Sequence, residues 1–423
     1  MSYETKTRVQ RFILVGVSAG AREEKADASL DELADLLETA GGEEAGRVLQ
    51  NLEQAHPKTY VGSGKVQEIK TMLSATGADG IICDDELSPA QLRALSDLLD
   101  TKIIDRTLLI LDIFSQRAST KEGQLQIELA QLEYRLTRLT GLGTELSRQG
   151  AAVGTHTRGA GETKLEMDRR HIRARMDQLK SQLKEVEKQR SVLRAQRQKN
   201  QIPVIALVGY TNAGKSTLFN RLTHAQVKEE DQLFATLDTT TRRRKMPSGR
   251  TVLFVDTVGF IHKLPHHLIK AFRATLEEAA YADMLLHVVD GSSAEAELHM
   301  QVSYDTLVEL QAADKPIITV LNKQDLIREA QPVSVPYRSE QVLRISALQE
   351  GAAEAVLGAI DAQLDQRETL VTVVLPYEKG SLGAVLHREG KVLEEEYRED
   401  GIYIRARLPK RYAEAVKPYQ RKD

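Results

Sequence analysis

The sequence predicts an α/β fold class, and three patterns carry that expectation. Strand-like and helix-like segments alternate over residues 1 to about 120 and again over 201 to about 365, the mark of parallel sheets with crossover helices. Between these regions lie two helix-like stretches with apolar residues at heptad spacing, which predict a long antiparallel hairpin. A short strand–helix–strand–strand run closes the chain. The implied organisation is an N-terminal α/β subdomain (1–122) with a parallel sheet, a helical hairpin (123–200), a second α/β domain (201–365) and a small α+β C-terminal module (366–423).

In the first region RFILVGVSA and GADGIICDD read as buried strands. SLDELADLLETA, SGKVQEIKTML and SPAQLRALSDLL place apolar residues at helical spacing. Leu125, Leu129, Leu132, Leu136 and Leu139 then step by four and three, as do Ile172, Met176, Leu179, Leu183 and Val186 before Arg190 interrupts the seam. Residues 141–163 separate the two stripes, with six glycines and no apolar period. They are expected to form a structureless tip, and a loop of that length usually has a function. In the second α/β region the strand candidates are PVIALVG, RTVLFVDT, MLLHVVD, PIITVLN and QVLRIS. The C-terminal run comprises LVTVVLP, GSLGAVLHREG, KVLEEEYRED and GIYIRARLP.

The 423 residues carry a net charge of −3, so nucleic-acid contact requires local clustering of cations. A single cysteine, Cys83, excludes internal disulfides and a thiolate zinc cage and suits a reducing compartment. The N-terminus holds no long apolar segment of the signal type, and no apolar run approaches the ~18 residues of a membrane span. A cytoplasmic protein without a membrane span is expected.

Gly209-Tyr210-Thr211-Asn212-Ala213-Gly214-Lys215-Ser216 fits G-x-x-x-x-G-K-[ST], between a strand and the helical start that Thr217 continues. Such a loop wraps a polyphosphate with backbone N–H groups at a helix N-terminus. Lys215 is expected at the β- and γ-phosphates and the Ser216 hydroxyl on Mg²⁺. Asp256-Thr257-Val258-Gly259 follows the next strand. There the Asp256 carboxylate would hold the Mg²⁺ shell and the Gly259 N–H would reach the γ-phosphate. Within LFATLDTTTRR (233–243), the stretch Phe234-Ala235-Thr236-Leu237-Asp238 is expected at the nucleotide. Thr236 is the candidate to close over Mg²⁺, making this loop a γ-phosphate switch. Gly62-Ser63-Gly64-Lys65 is a contrast. Thr59 stands where the loop's first glycine belongs, and Val66 stands where the metal-binding hydroxyl belongs. It reads mainly as an entry into a helix, with ATP or RNA-phosphate binding by this domain as the minor reading.

Asn322-Lys323-Gln324-Asp325 follows the strand PIITVL. The Asp325 carboxylate matches guanine N1–H and N2–H₂, a donor pair that adenine lacks, and sites of this kind reject the wrong analogue by ~10⁴ or more. The Lys323 stem would cover the base and Asn322 would tie this loop to the phosphate loop. A backbone N–H in Ser346-Ala347-Leu348 would meet guanine O6. The substrate is therefore read as GTP and residues 201–365 as a P-loop GTPase domain, with Lys215, Thr236 and Gly259 as the residues closest to the chemistry. The residue after Asp-x-x-Gly often orients the attacking water. Here it is Phe260, which neither donates nor accepts a hydrogen bond, so hydrolysis by the protein alone is expected to be slow. A partner, or a K⁺ ion held partly by the Asn212 amide oxygen, would have to make up the deficit.

These motifs, together with IIDRTLLILDIFSQRA (103–118), EGQLQIELAQLEYRLTRLTG (122–141), LSRQG (146–150) and RGAGETKLEMDRRHI (158–172), resemble the HflX-type, translation-associated P-loop GTPases. The resemblance covers residues 1–365 and, less specifically, the C-terminal module. It departs at Ala151-Ala152, at the inserted His156-Thr157, at Ala160, and at DTTT in the switch. It implies binding to the large (50S) ribosomal subunit and its rRNA in the GTP state, stimulation by ribosomes, and a role in rescue or splitting of stalled ribosomes or in translation under stress. Independently, residues 164–200 hold 12 Lys/Arg against 5 Asp/Glu, a basic stripe suited to RNA phosphates. Arg148, Arg158, Arg169, Arg170 and Arg173 are the rRNA-binding candidates. Two rival readings are a ribosome-assembly GTPase acting on immature subunits and a protein-binding switch using the hairpin's apolar stripe. A third is an ATP-dependent nucleic-acid remodeller. The stripes are expected to be used within the chain, which favours a monomer.

Overall fold

The computed structural model describes residues 8–19, 23–150, 160–199, 202–225, 233–234, 239–263, 273–327 and 333–420. The chain begins with a β1 (Arg11–Ala19), α1 (Glu23–Thr39), β2 (Glu43–Leu52), α2 (Ser63–Thr76), β3 (Gly80–Cys83), α3 (Pro89–Leu99), β4 (Lys102–Asp105) and α4 (Arg106–Arg117) run. The four strands form an all-parallel sheet in the order β2-β1-β3-β4. Local chemistry sets its boundaries. Ser88 and Gln91 form a reciprocal capping box with Pro89 in the first turn of α3, and Gly77 closes α2 at φ 63°. The strands β2 and β4 were not anticipated. β2 is an edge strand whose ten residues are mostly exposed or half-buried, so no apolar run marks it.

Two long helices follow, α5 (Lys121–Gly150) and α6 (Ala160–Lys199). Leu125, Leu129, Leu132 and Leu136 meet Ile172, Met176, Leu179 and Leu183 in one apolar seam, as the heptad spacing predicts. Pairs at Glu128–Arg175 (2.7 Å) and Glu122–Arg190 (2.5 Å) run the antiparallel way. The expectation of a structureless tip over 141–163 needs correction. Helix covers 141–150 and 160–163, and only 151–159 lie outside the described residues. Gly141 and Gly143 hid the continuation, because glycine weakens a helix without forbidding it.

The third unit contains β5 (Val204–Val208), α7 (Lys215–Thr223), β6 (Thr240–Lys245), β7 (Thr251–Asp256), α8 (Arg273–Tyr281), β8 (Met284–Asp290), α9 (Ala296–Glu309), β9 (Ile317–Asn322), β10 (Gln341–Arg344) and α10 (Ala352–Arg367). Its six-stranded sheet has the order β10-β9-β8-β5-β7-β6, parallel except for the antiparallel edge strand β6. β6 was also missed, because TTRRRK contains no apolar residue. The chain ends with β11 (Glu368–Leu375), α11 (Gly380–Glu389), β12 (Lys391–Arg398), β13 (Gly401–Pro409) and α12 (Lys410–Val416), an antiparallel sheet of order β11-β13-β12. No described helix is long and apolar enough to cross a membrane.

The units share cores. One apolar cluster runs from Leu14 of β1 and Leu33 of α1 through Ile110 and Phe114 of α4 and Tyr134 of α5 into Val208, Val255, Phe260 and Leu285 of the third unit. Asp105 anchors the hairpin base. It caps α4 at the Leu108 N–H (3.0 Å), accepts the Tyr134 hydroxyl (2.8 Å) and pairs with Arg138 (2.5 Å), all while fully buried.

Candidate active site

β5 leads into residues 209–214, and α7 begins at Lys215, so the loop's N–H groups converge at a helix N-terminus as the motif requires. Gly214 stands at φ +88°, and a Cβ there would lie 2.2 Å from Asn322 Nδ2. Asn212 also takes a positive φ of 56°, a conformation asparagine tolerates. Lys215 is buried and donates to the Tyr210 carbonyl at 2.5 Å. Burial pushes its ammonium down to about 8, opposed by Asp256.

Asp256 ends β7 fully buried and accepts the Ser216 hydroxyl at 2.9 Å. Gly259 approaches closely, since a Cβ there would stand 2.9 Å from Lys215 Nζ and 2.8 Å from Thr211 Cα. The sequence motifs therefore meet around one lysine. The hydroxyl of Ser216 and the carboxylate of Asp256 are hard oxygen donors that suit Mg²⁺. Among the described residues no group of three or more His, Cys, Asp or Glu forms a self-sufficient metal cage. These donors thus fit a cation that brings further oxygens with it, as a nucleotide phosphate does.

On the base side Asn322 sits between two loops. Its Nδ2 donates to the Ala213 carbonyl (3.0 Å) and its Oδ1 accepts the Ala347 N–H (2.8 Å). Ser346 and Ala347 are buried, whereas Leu348 and Asp325 are exposed. Lys323 pairs with Asp290 at 2.8 Å, and Gln324 opens a short 3₁₀ turn. Thr257 is buried, its hydroxyl donating to the Leu207 carbonyl at 2.6 Å, and Val258 packs in the shared core. Thr217 lies in the first turn of α7.

Phe234 is buried, and its ring meets Phe114 of α4 edge-on at 4.6 Å. Ala235, Thr236, Leu237 and Asp238 lie outside the described residues, as does Arg158. Arg148 lies within α5. On α6, Arg169 pairs with Glu166 at 3.6 Å. Arg170 and Arg173 are exposed, with no carboxylate partner among the described residues.

Phe260 lies in the shared core at 1% exposure. Its backbone bridges Tyr210: Phe260 N–H donates to the Gly209 carbonyl (3.0 Å), and Thr211 N–H donates to the Phe260 carbonyl (2.8 Å). The aromatic ring is thus a packing element, while the Phe260 backbone ties Asp-x-x-Gly to the phosphate loop.

A cluster the sequence did not reveal joins the first sheet to this site. Arg106 is 1% exposed and pairs with Glu32 and, at 2.7 Å, with Asp84. It also reaches the His262 carbonyl at 3.1 Å. The Tyr210 hydroxyl donates to Glu32 and accepts the His262 N–H at 2.7 Å, while its ring stacks on His299 at 3.9 Å. Lys263 pairs with Asp84 and with Asp85 (2.7 Å). Burial opposes the Arg106 charge, but Glu32 and Asp84 outweigh it and hold the guanidinium firmly protonated. The only sequence signal for this cluster was the polar Asp105-Arg106 pair at the head of an otherwise apolar segment. In Gly62-Ser63-Gly64-Lys65, Gly62 N–H donates to Gln50 at 2.8 Å and Lys65 pairs with Glu68 at 2.8 Å at the start of α2.

Family models match along most of the chain: a GTP-binding GTPase N-terminal region over 27–115, a GTP-binding GTPase middle region over 117–197, and a 50S ribosome-binding GTPase domain over 204–323. A curated GTPase HflX of Lacrimispora saccharolytica is 50% identical over 96% of this chain and 95% of its own length. The chain belongs to the HflX family of GTPases. The GTPase HflX of Escherichia coli K12 is 42% identical over 90% of this chain and 89% of its own. The solved SsGBP–GDP complex is 27% identical, with TM-score 0.46, over 85% of this chain and 99% of that one. As a member of this family the chain binds guanine nucleotides and hydrolyses GTP.

Proposed function

We propose that this HflX-family GTPase is a nucleotide-switched factor for the large ribosomal subunit, bound through rRNA in its GTP state and released by hydrolysis. The observation that carries this reading is Phe260. An apolar, buried residue follows Asp-x-x-Gly, so water activation depends on a partner, and turnover by the protein alone is slow. The 50S-binding description of the matching family model and the exposed cations of α6 support the choice of partner. In this reading residues 209–217 cradle the phosphates, Lys215 faces the β- and γ-oxygens, and Gly259 offers its N–H to the γ-phosphate. Ser216 and Thr236 would hold Mg²⁺, Asp256 would hold its water shell, and the ion would supply charge neutralisation at the phosphates. Asp325 and the N–H groups of Ser346-Ala347-Leu348 read guanine. Stalled ribosomes are the proposed target.

Co-sedimentation with purified large subunits tests the switch. Retention with a non-hydrolysable GTP analogue, loss with GDP, and weakening by Arg170→Gln with Arg173→Gln are expected. Equal retention in both nucleotide states would remove the switch, and binding that survives RNase digestion would favour a protein partner. Asn212 is also proposed to hold part of a K⁺ site. A hydrolysis rate identical in K⁺ and Na⁺ buffers would eliminate it.

A further inference from the structure

The edge strand β6 is not used by the site described above. It is the outermost strand of the six-stranded sheet, and it carries Arg242, Arg243, Arg244 and Lys245 in succession. Arg242, Arg243 and Lys245 are exposed. Arg244 is half-buried, and its Nε has no hydrogen-bond partner among the described residues. No carboxylate of the described residues pairs with any of the four. Edge strands often carry a charge to prevent strand-to-strand association, but one lysine suffices for that. Four adjacent cations repel one another, and an arrangement of this kind is stabilised by a polyanion.

The placement matches a nucleic-acid backbone. Alternate residues of a strand face the same side about 6.6 Å apart, so Arg243 and Lys245 form one row with a spacing close to that of successive phosphates. Arg242 and Arg244 form the opposite row. The strand also adjoins the basic hairpin. A recess of about 310 Å³ is lined by Thr239 and Thr241 beside β6, by Gln189 and Arg190 of α6, and by Glu122 and Glu278, with Glu122 paired to Arg190 at 2.5 Å. We infer that β6 is a second phosphate-binding surface for RNA, carried by its own four cations and separate from Arg170 and Arg173 of α6. This surface lies on a different domain from the hairpin and does not depend on the ribosome being the partner.

The test is binding of the full-length chain to a labelled RNA duplex of about 20 base pairs, measured by anisotropy across a salt series at fixed Mg²⁺ and a non-hydrolysable GTP analogue. The variant Arg242→Gln/Arg243→Gln/Lys245→Gln is expected to bind at least about tenfold more weakly and to lower the slope of log affinity against log salt by roughly 2–3. Arg242→Lys/Arg243→Lys keeps the charges and is expected to keep the slope. A wild-type slope in the glutamine variant overturns the proposal, as does a wild-type chain that fails to bind. Binding lost only in Arg170→Gln/Arg173→Gln overturns it too, while leaving the hairpin reading intact. Unchanged GDP affinity and Tm establish that the variant is folded. Should the triple variant unfold, Arg243→Gln is expected to lower the slope by about 1, and an unchanged slope in it is contradictory.

Discussion

Lys215 is where burial and function oppose each other most directly. Burial lowers its pKa to about 8, and Asp256 recovers only part of the loss. A bound polyphosphate favours the charged ammonium, so nucleotide binding takes up a proton when the free lysine is neutral. Affinity for GDP or GTP should therefore be full below about pH 8. It should fall by up to about tenfold per unit as pH rises through that value. Fluorescent-nucleotide titrations over a pH series check this, and affinity that stays level to about pH 9.5 would contradict it. Phe260 poses the second residue-scale question. Its ring is fully packed, so Phe260→Ala should cost about 3–5 kcal/mol in thermal or denaturant unfolding. Phe260→Gln should not create a competent water-orienting group, because the side chain at this position enters the core.

At the scale of elements, the buried Arg106 cluster joins the first sheet to the loop after Gly259. Removing one partner of such a cluster leaves uncompensated charge, so Arg106→Met should destabilise by about 3–5 kcal/mol. Thermal unfolding of Arg106→Met and Glu32→Gln checks it. A variant as stable as wild type would show that the carboxylates relax into water. The hairpin seam makes a separate prediction. Leu179 is fully buried against α5, and Leu179→Ala should cost about 2–5 kcal/mol, read as lost amide protection along α5 and α6.

Legibility in the sequence followed burial. Strands with continuous apolar runs, such as β1, β5 and β8, and the heptad seam of α5 and α6 were readable. The strands β2 and β6 were not, because their side chains are mostly exposed or half-buried and form no apolar run, and β4 was missed because its apolar run is only Ile103-Ile104. In the site, local motifs placed Lys215, Ser216, Asp256 and Asn322 together. The Arg106–Glu32–Tyr210 contacts were invisible, because residues 74 and 178 positions apart meet there only after two domains have packed.

For the whole molecule, one continuous apolar cluster carries Phe234, Val258 and Phe260 of the nucleotide domain together with Phe114 of the first unit and Tyr134 of the hairpin. A displacement of either loop therefore repacks the base of the hairpin, because close-packed cores transmit strain. Under the proposed function this shared core is what would couple the hairpin to the nucleotide, and such coupling is reciprocal: a partner that binds one shifts the other. Under the same proposal, hydrolysis is gated by that partner. The decisive measurement is the GTP hydrolysis rate of the purified chain, with and without purified large ribosomal subunits, at fixed salt and Mg²⁺. Gating by the partner predicts slow turnover by the chain alone and a rise of at least about tenfold, a barrier lowered by ~1.4 kcal/mol, when subunits are added. Fast turnover by the chain alone, unchanged by subunits, would contradict it.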